Sequence, residues 1–122
     1  MNQQRSFVFA GGGTGGHIYP GIAIAQQIQQ TDPNAKILFF CSRRDIDQRV
    51  LEKAGFEHKP LPATGFSLRP AALIRFIRGF CKSTRTAKQY LCRLENPVVI
   101  GIGGFVTAPV SRAAHKLSIP VV

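Results

Sequence analysis

Apolar runs alternate with amphipathic stretches along the whole chain. The runs are short and continuous, which is typical of strands buried on both faces of a sheet. They predict strands over 6–10, 36–40, 58–61 and 97–100, with another beginning near Ile119. Apolar positions at helical spacing predict helices over 20–30, 45–54 and 70–94, and one opening at Thr107. Gly55 is the expected stop of the second helix, and Gly79 is a candidate break in the third.

This order of elements predicts an α/β fold, a Rossmann-like parallel sheet with helices on both faces. Two glycine-rich segments, 11–16 and 101–104, directly follow apolar runs. In a parallel sheet, ligands bind beyond the carboxyl ends of the strands, near the point where the strand order reverses. We therefore expect the two glycine segments to converge on one crevice.

Composition narrows the class of protein and its partners. The 122 residues suffice for one domain. No apolar run is long enough for a membrane span, and the N-terminus lacks the pattern of a signal peptide. Three cysteines without CxxC spacing favour a reduced, cytoplasmic setting. The net charge of +10 indicates a polyanionic partner, or an acidic counterpart elsewhere in a longer protein.

The first glycine segment predicts an anion site. A strand, five glycines in six positions and a helix start follow one another, so backbone N–H groups and the helix dipole would point at a bound anion. His17 stands at the rim of this loop, where an imidazole can act as a general base or as a cation beside phosphate. The plainer alternative is a histidine that only bonds the start of its own helix.

The same segment formally matches GxGxxG, the fingerprint of dinucleotide binding. That fingerprint expects an acidic residue after the second strand to hold the ribose hydroxyls. The sequence there is Cys41-Ser42-Arg43-Arg44, which disfavours NAD. Because Arg43 or Arg44 could meet a 2′-phosphate, an NADP-binding oxidoreductase domain remains an alternative.

The long helix 70–94 carries most of the excess charge. Apolar positions form one helical face, and Arg75, Arg78, Lys82 and Arg85 lie on the opposite face. In its first half the two kinds of residue interleave too densely for burial alone, which suits an anionic membrane surface better than nucleic acid. We call this segment the apolar–basic patch: Leu73, Ile74, Arg75, Phe76, Ile77, Arg78, Phe80 and Lys82. The alternative for this helix is a core-packed helix with a solvated basic back. For the whole chain, a non-enzymatic module that binds a membrane or a polyanion remains an alternative function.

With these residues in hand, the chain resembles the N-terminal domain of the MurG family. The segment 12–23, GGTGGHIYPGIA, is the most specific part, since a histidine directly after TGG is not a general Rossmann feature. The segment 101–109, GIGGFVTAP, is similar to the family's second glycine loop, although Phe105 stands where the family usually has tyrosine. The resemblance covers essentially the whole chain.

The resemblance implies a fold, an activity and a location. The fold is the N-terminal half of the two-domain GT-B architecture, and the activity is transfer of N-acetylglucosamine from UDP-N-acetylglucosamine to lipid I, giving lipid II for peptidoglycan. It implies inverting transfer without metal or cofactor, on the cytoplasmic face of the bacterial inner membrane. Residues 1–122 would be the acceptor-binding domain, truncated at its C-terminal end, and inactive without a donor-binding domain.

The resemblance also implies roles for individual residues. The first loop would contact the donor or its diphosphate through Thr14, Gly15 and Gly16. His17 would activate the acceptor hydroxyl or steer the pyrophosphate. The second loop would help to cradle the acceptor's diphosphate through Gly103, Gly104 and Phe105. The apolar–basic patch falls where the family docks to the membrane.

Overall fold

The computed structural model describes residues 4–12 and 18–122, which form four strands and four helices in strict alternation. The strands are short, and three of them are mostly apolar, whereas the strand over 57–61 has the polar sequence EHKPL. Each helix carries an apolar stripe. The elements in chain order are β1 (Ser6–Gly12), α1 (Ile18–Thr31), β2 (Lys36–Ser42), α2 (Asp45–Ala54), β3 (Glu57–Leu61), α3 (Pro70–Leu91), β4 (Pro97–Gly104) and α4 (Thr107–Lys116).

The four strands form one parallel sheet in the order β3-β2-β1-β4. The chain moves outward from β1 to β3 and then crosses to the other side of β1 to add β4. The order therefore reverses between β1 and β4, and the predicted Rossmann-like architecture is confirmed. In open α/β sheets this switch point is where ligands bind.

The helices cover both faces of the sheet, as the apolar strands predicted. Alternate residues of β1 separate the two cores: Phe9 packs with α1 and α2, whereas Val8 packs with α3 and α4. On the α1–α2 side Phe9 stacks on Phe39 with ring centroids 4.8 Å apart, and Phe39 also contacts Phe56. These rings are fully or almost fully buried, so they hold β1 and β2 against α2.

Several boundaries differ from the sequence-based expectation, most of all in β4 and α3. β4 continues through the second glycine segment to Gly104, because those residues pair with the end of β1. α3 ends at Leu91 and runs unbroken through Gly79, so the candidate break is wrong. Gly55 does end α2, with the left-handed φ of 80° that glycine adopts freely.

The expected strand near Ile119 appears as a short pairing with the free edge of β4. Val99 bridges Val121 in parallel, and the Val122 N–H donates to the Val99 carbonyl at 2.8 Å. The Gly101 N–H in turn donates to the Val122 carbonyl at 3.0 Å. These bonds place residues 120–122 beside β4, on the side away from β1.

Candidate functional site

The two glycine segments meet at the switch point of the sheet. After a register shift between Ala10 and Gly11, Gly11 pairs with Gly103 and Gly12 pairs with Gly104. Four residues without side chains thus end two neighbouring strands at their carboxyl edge. The expected convergence is confirmed for this described part of the two segments.

Glycine is required here by close backbone approach as well as by dihedral angles. Gly104 has a φ of 86°, and a Cβ atom at this position would overlap the carbonyl oxygen of Gly12. Gly12 has a φ of 133°, and its Cβ would lie 2.5 Å from Asp47 Oδ2. Larger residues would push the two strand ends apart, so the bare peptide edge is a built feature of the site.

Thr107, the first residue of α4, fastens the ends of β1 and β4 together. Its hydroxyl lies 2.9 Å from the Ala10 carbonyl and 3.1 Å from the Gly103 carbonyl, to which it can donate, and it accepts the Gly103 N–H at 3.2 Å. One side chain therefore bonds to both strands at the point where the register shifts. The sequence marked Thr107 only as a helix start, and its cross-strand role needed the fold.

A buried carboxylate supports the end of β2. Asp47, in the first turn of α2, has no exposed surface. Its Oδ2 accepts the hydroxyl of Ser42 and lies 3.3 Å from the Ser42 N–H, while the Ser42 hydroxyl accepts the Arg44 N–H at 3.2 Å. Because Asp47 also adjoins Gly12, this network lies between the carboxyl ends of β1 and β2. Sequence analysis missed it, although a serine at the strand end and an aspartate in the following helical turn were a usable signal.

The network bears on the predicted nucleotide specificity. Asp47 is the buried acid next to the end of β2, and it accepts hydrogen bonds from Ser42. Arg43 and Arg44, which follow Ser42, are exposed. Asp45, the next residue, is exposed as well, so this edge presents charges of both signs to solvent. The preference for a phosphate over the ribose hydroxyls of NAD therefore stays a prediction.

The predicted residues of the first loop, Thr14, Gly15, Gly16 and His17, lie outside the described residues, so their roles stay predictions. In the second segment Gly104 is exposed and Gly103 is half-buried. Phe105 is half-buried and packs against the core on the α3–α4 side. A ring packed in this way contributes to the fold whether or not a ligand binds.

The first half of α3 leaves apolar side chains in solvent. The sequence predicts an apolar face of Leu73, Ile77, Phe80, Thr84, Ala87 and Leu91. Ile74 is 52% exposed and Ile77 is 51% exposed, so that predicted face is wrong at Ile77. The buried face of α3 consists of Gly79, Ser83, Thr84, Ala87 and Leu91, so the prediction is confirmed at Thr84, Ala87 and Leu91. Leu73, Phe76 and Phe80 are half-buried, and the basic residues Arg75, Arg78 and Lys82 are exposed.

The loop before α3 extends this surface. Phe66 is 65% exposed and Leu68 is 81% exposed, which sequence analysis did not single out. The Phe66 ring meets the Phe76 ring edge-on at 5.4 Å, and Phe76 in turn lies 6.1 Å from Phe80. An exposed apolar surface ringed by arginine and lysine results, a composition that marks interaction surfaces.

Within residues 4–12 and 18–122, no cluster of three or more His, Cys, Asp and Glu side chains is placed to hold a metal ion. Nor is any described helix both long and apolar enough to cross a bilayer.

Comparison with known proteins places this geometry in a family. The family model of the glycosyltransferase family 28 N-terminal domain matches residues 7–122. The chain is 38% identical over 117 residues to the Leuconostoc citreum UDP-N-acetylglucosamine–N-acetylmuramyl-(pentapeptide) pyrophosphoryl-undecaprenol N-acetylglucosamine transferase. It is 32% identical over 114 residues to the enzyme of the same name from Bacillus subtilis. The matches cover 94% and 93% of this chain but 31% of each enzyme, so the chain spans about a third of these relatives.

Solved structures agree with this assignment. The crystal structure of Acinetobacter baumannii MurG superposes with a TM-score of 0.69 at 25% identity, over 98% of this chain and 34% of that one. The calicheamicin glycosyltransferase CalG4 gives 0.67 at 17% identity, over 98% of this chain and 32% of that one, and so supports the GT-B fold alone. An oxidoreductase domain is therefore set aside: the chain belongs to the glycosyltransferase family 28 N-terminal domains.

Proposed function

We propose that this chain is the acceptor-binding half of an enzyme that transfers N-acetylglucosamine from UDP-N-acetylglucosamine to lipid I, forming lipid II for peptidoglycan. The observation that carries the proposal is the paired glycine edge, Gly11–Gly12 against Gly103–Gly104, at the switch point of the sheet. The names of the 32–38% identical relatives supply the substrates.

Bare peptide edges suit diphosphate groups, because no side chain keeps the backbone N–H groups from the phosphate oxygens. Both substrates of the proposed reaction carry a diphosphate. In our proposal Gly103, Gly104 and Phe105 border the acceptor's diphosphate, while Thr14, Gly15 and Gly16 contact the donor. Thr107 acts indirectly, because it bonds the ends of β1 and β4, and Asp47 supports the neighbouring end of β2.

The proposed chemical step is a single inverting displacement. The acceptor sugar hydroxyl attacks the anomeric carbon of N-acetylglucosamine, and the bond from that carbon to the diphosphate oxygen breaks. UDP leaves with the bonding electron pair, and His17 takes the hydroxyl proton. A general base in this position contributes on the order of 10²- to 10⁴-fold to the rate.

We further propose that the chain docks peripherally on the cytoplasmic face of the inner membrane, where the lipid-linked acceptor resides. The exposed Ile74 and Ile77 with their basic neighbours support this arrangement. Apolar side chains enter the headgroup boundary, and arginine and lysine meet anionic lipids. The relatives' remaining length would supply the donor-binding domain, so we expect the 122 residues alone to be inactive.

A chimera tests the chemistry. The 122 residues would replace the matching third of the Leuconostoc citreum enzyme, and transfer from labelled UDP-N-acetylglucosamine to lipid I would be measured. We expect turnover by the chimera and a loss of about 100-fold or more with His17→Ala, because the proton then has no acceptor. His115→Ala is the matched control, since His115 is exposed near the end of α4.

Two results would contradict the proposal. Unchanged turnover of the His17→Ala chimera would remove this residue from the mechanism. Transfer by the 122 residues alone would show that no second domain is needed.

A further inference from the structure

A groove of about 380 Å³ lies between α3 and α4, apart from the glycine edge. Its walls carry four cations: Arg85 and Lys88 on α3, and Arg112 and Lys116 on α4. Phe80 and Thr84 also line it. Lys116 is nine residues beyond Thr107, which places this end of the groove about 14 Å along the helix axis from the glycine edge.

The positive charge of this groove is not balanced by acidic side chains in its walls. No acidic side chain is among the lining residues that the structure describes. Within each helix the two cations are three or four residues apart, a spacing at which like charges repel. Because α3 packs against α4, both pairs of cations line the same groove. An anion bound there would reduce the electrostatic repulsion among the four side chains.

The groove is continuous with the apolar–basic patch. Phe80 belongs to both, and Ile77 and Ile74 precede it by one and two helical turns on α3. The exposed isoleucines thus lie in the first half of α3, and Arg85 and Lys88 lie in its later half, where α4 adds Arg112 and Lys116. A lipid joins the same two chemistries in one molecule, an anionic phosphate and apolar acyl chains.

We propose that this groove binds the phosphate of an anionic glycerophospholipid headgroup while the isoleucines of the patch enter the acyl boundary. The inference rests on the proposed membrane docking and adds a specific headgroup site to it. The lipid is favoured over a soluble phosphate because the groove shares Phe80 with an exposed apolar surface. Headgroup binding would set the orientation of the paired glycine edge, Gly11–Gly12 against Gly103–Gly104, relative to the membrane surface.

Vesicle binding by the 122-residue chain tests the proposal. The probe is a vesicle of phosphatidylcholine with about one third phosphatidylglycerol, followed by sedimentation. Each cation near such a surface changes affinity by about fivefold, so Arg112→Gln/Lys116→Gln should weaken binding by about thirtyfold. The matched control is Arg49→Gln/Lys53→Gln, an exposed arginine and lysine at the same spacing on α2, beyond the sheet; a change under about threefold is expected.

A thiol measurement locates the lipid. Cys81 lines the groove and is exposed, whereas Cys92 is exposed beyond the far end of α3. We expect the anionic vesicles to slow alkylation of Cys81 by iodoacetamide about tenfold and that of Cys92 less than twofold. Arg112→Gln/Lys116→Gln should remove this protection at lipid concentrations where the variant is still bound.

The outcomes separate this site from general docking. If Ile74→Ser/Ile77→Ser abolishes vesicle binding while Arg112→Gln/Lys116→Gln behaves like the α2 control, docking stands and the groove site is overturned. Protection of Cys81 by millimolar glycerol phosphate, without vesicles, would overturn the lipid assignment in favour of a soluble phosphate. If the unsubstituted chain does not bind the vesicles, both proposals fail.

Discussion

Cys41 shows how burial changes the chemistry of one side chain. It lies in β2 with no exposed surface, and it packs on the α1–α2 side of the sheet. Burial raises the pKa of its thiol to about 12, and the nearby Asp47 carboxylate adds to the rise. Both effects disfavour the thiolate, so Cys41 is inert at neutral pH, unlike the exposed Cys81 and Cys92.

This pKa predicts a pH dependence of stability. Unfolding returns the thiol to its ordinary pKa of about 9, so between pH 9 and 12 the unfolded chain has lost a proton that the folded chain keeps. The free energy of unfolding should therefore fall with rising pH, by about 1 kcal/mol per pH unit from this group. Urea unfolding of the wild type and Cys41→Ala at pH 7 to 11 measures it.

Below pH 8 the two unfolding free energies should differ by a constant amount, which reflects lost packing. Above pH 9 that difference should shrink, because only the wild type carries the thiol. Parallel curves up to pH 11 would contradict the prediction. Cys92→Ser is a suitable control, since Cys92 is exposed.

At the scale of one element, α3 is a single helix with two different halves. Its later half buries Ser83, Thr84, Ala87 and Leu91, and its first half exposes Ile74 and Ile77. Gly79 lies at the transition and is buried. A Cβ there would overlap the carbonyl oxygen of Pro62, so this glycine lets the helix approach the loop after β3.

We predict that Gly79→Ala destabilises the chain by about 1–3 kcal/mol. Alanine favours the helix by about 1 kcal/mol in solvent, but here the methyl group meets backbone atoms that cannot rotate away. The measurement is the urea midpoint at constant slope. Gly65→Ala is the control, because a Cβ at Gly65 meets nothing within 4 Å.

A stabilised Gly79→Ala variant would contradict this packing and restore the interpretation of Gly79 as a weak point of the helix.

The same substitution also tests the apolar–basic patch. Because α3 carries Ile74 and Ile77 next to this contact, a helix displaced from the Pro62 loop should bind anionic vesicles less tightly.

At the scale of the whole molecule, the net charge of +10 is distributed over a fold with two dissimilar faces. The α3–α4 face holds the apolar–basic patch and the four-cation groove. The α1–α2 face covers the aromatic core of Phe9, Phe39 and Phe56. Attraction to an anionic surface should therefore orient the chain as well as hold it.

We predict that raising the salt concentration from 0.05 to 0.5 M weakens binding to phosphatidylglycerol vesicles by about tenfold or more. Salt shortens the range of the attraction from roughly 14 Å to about 4 Å, while apolar insertion is not screened. Pure phosphatidylcholine vesicles are the control and should bind weakly at both concentrations. Binding that does not change with salt would assign the interaction to apolar contacts alone.

The sequence determined those features that depend on neighbouring residues. Alternating apolar runs and helical stripes fixed the parallel α/β class, and Asp45 with Gly55 marked both ends of α2 as observed. The order of strand and glycines in both segments predicted that the ends of β1 and β4 would meet, as they do. Dense interleaving of apolar and basic residues before Gly79 showed that the first half of α3 is not core. All of these features depend on residues close together in the chain, and the period of apolar residues in helices and strands is therefore enough to predict them.

Only the tertiary structure decided the features that join distant parts of the chain. The pairing of Gly11 with Gly103, the Thr107 bond to Ala10 and the contact of Gly79 with Pro62 each depend on strand order and helix placement. The groove likewise exists only because α3 and α4 pack side by side and bring Arg85 and Lys88 to Arg112 and Lys116. A linear pattern carries no signal for such contacts, because the partners are set by the packing of elements rather than by spacing along the chain.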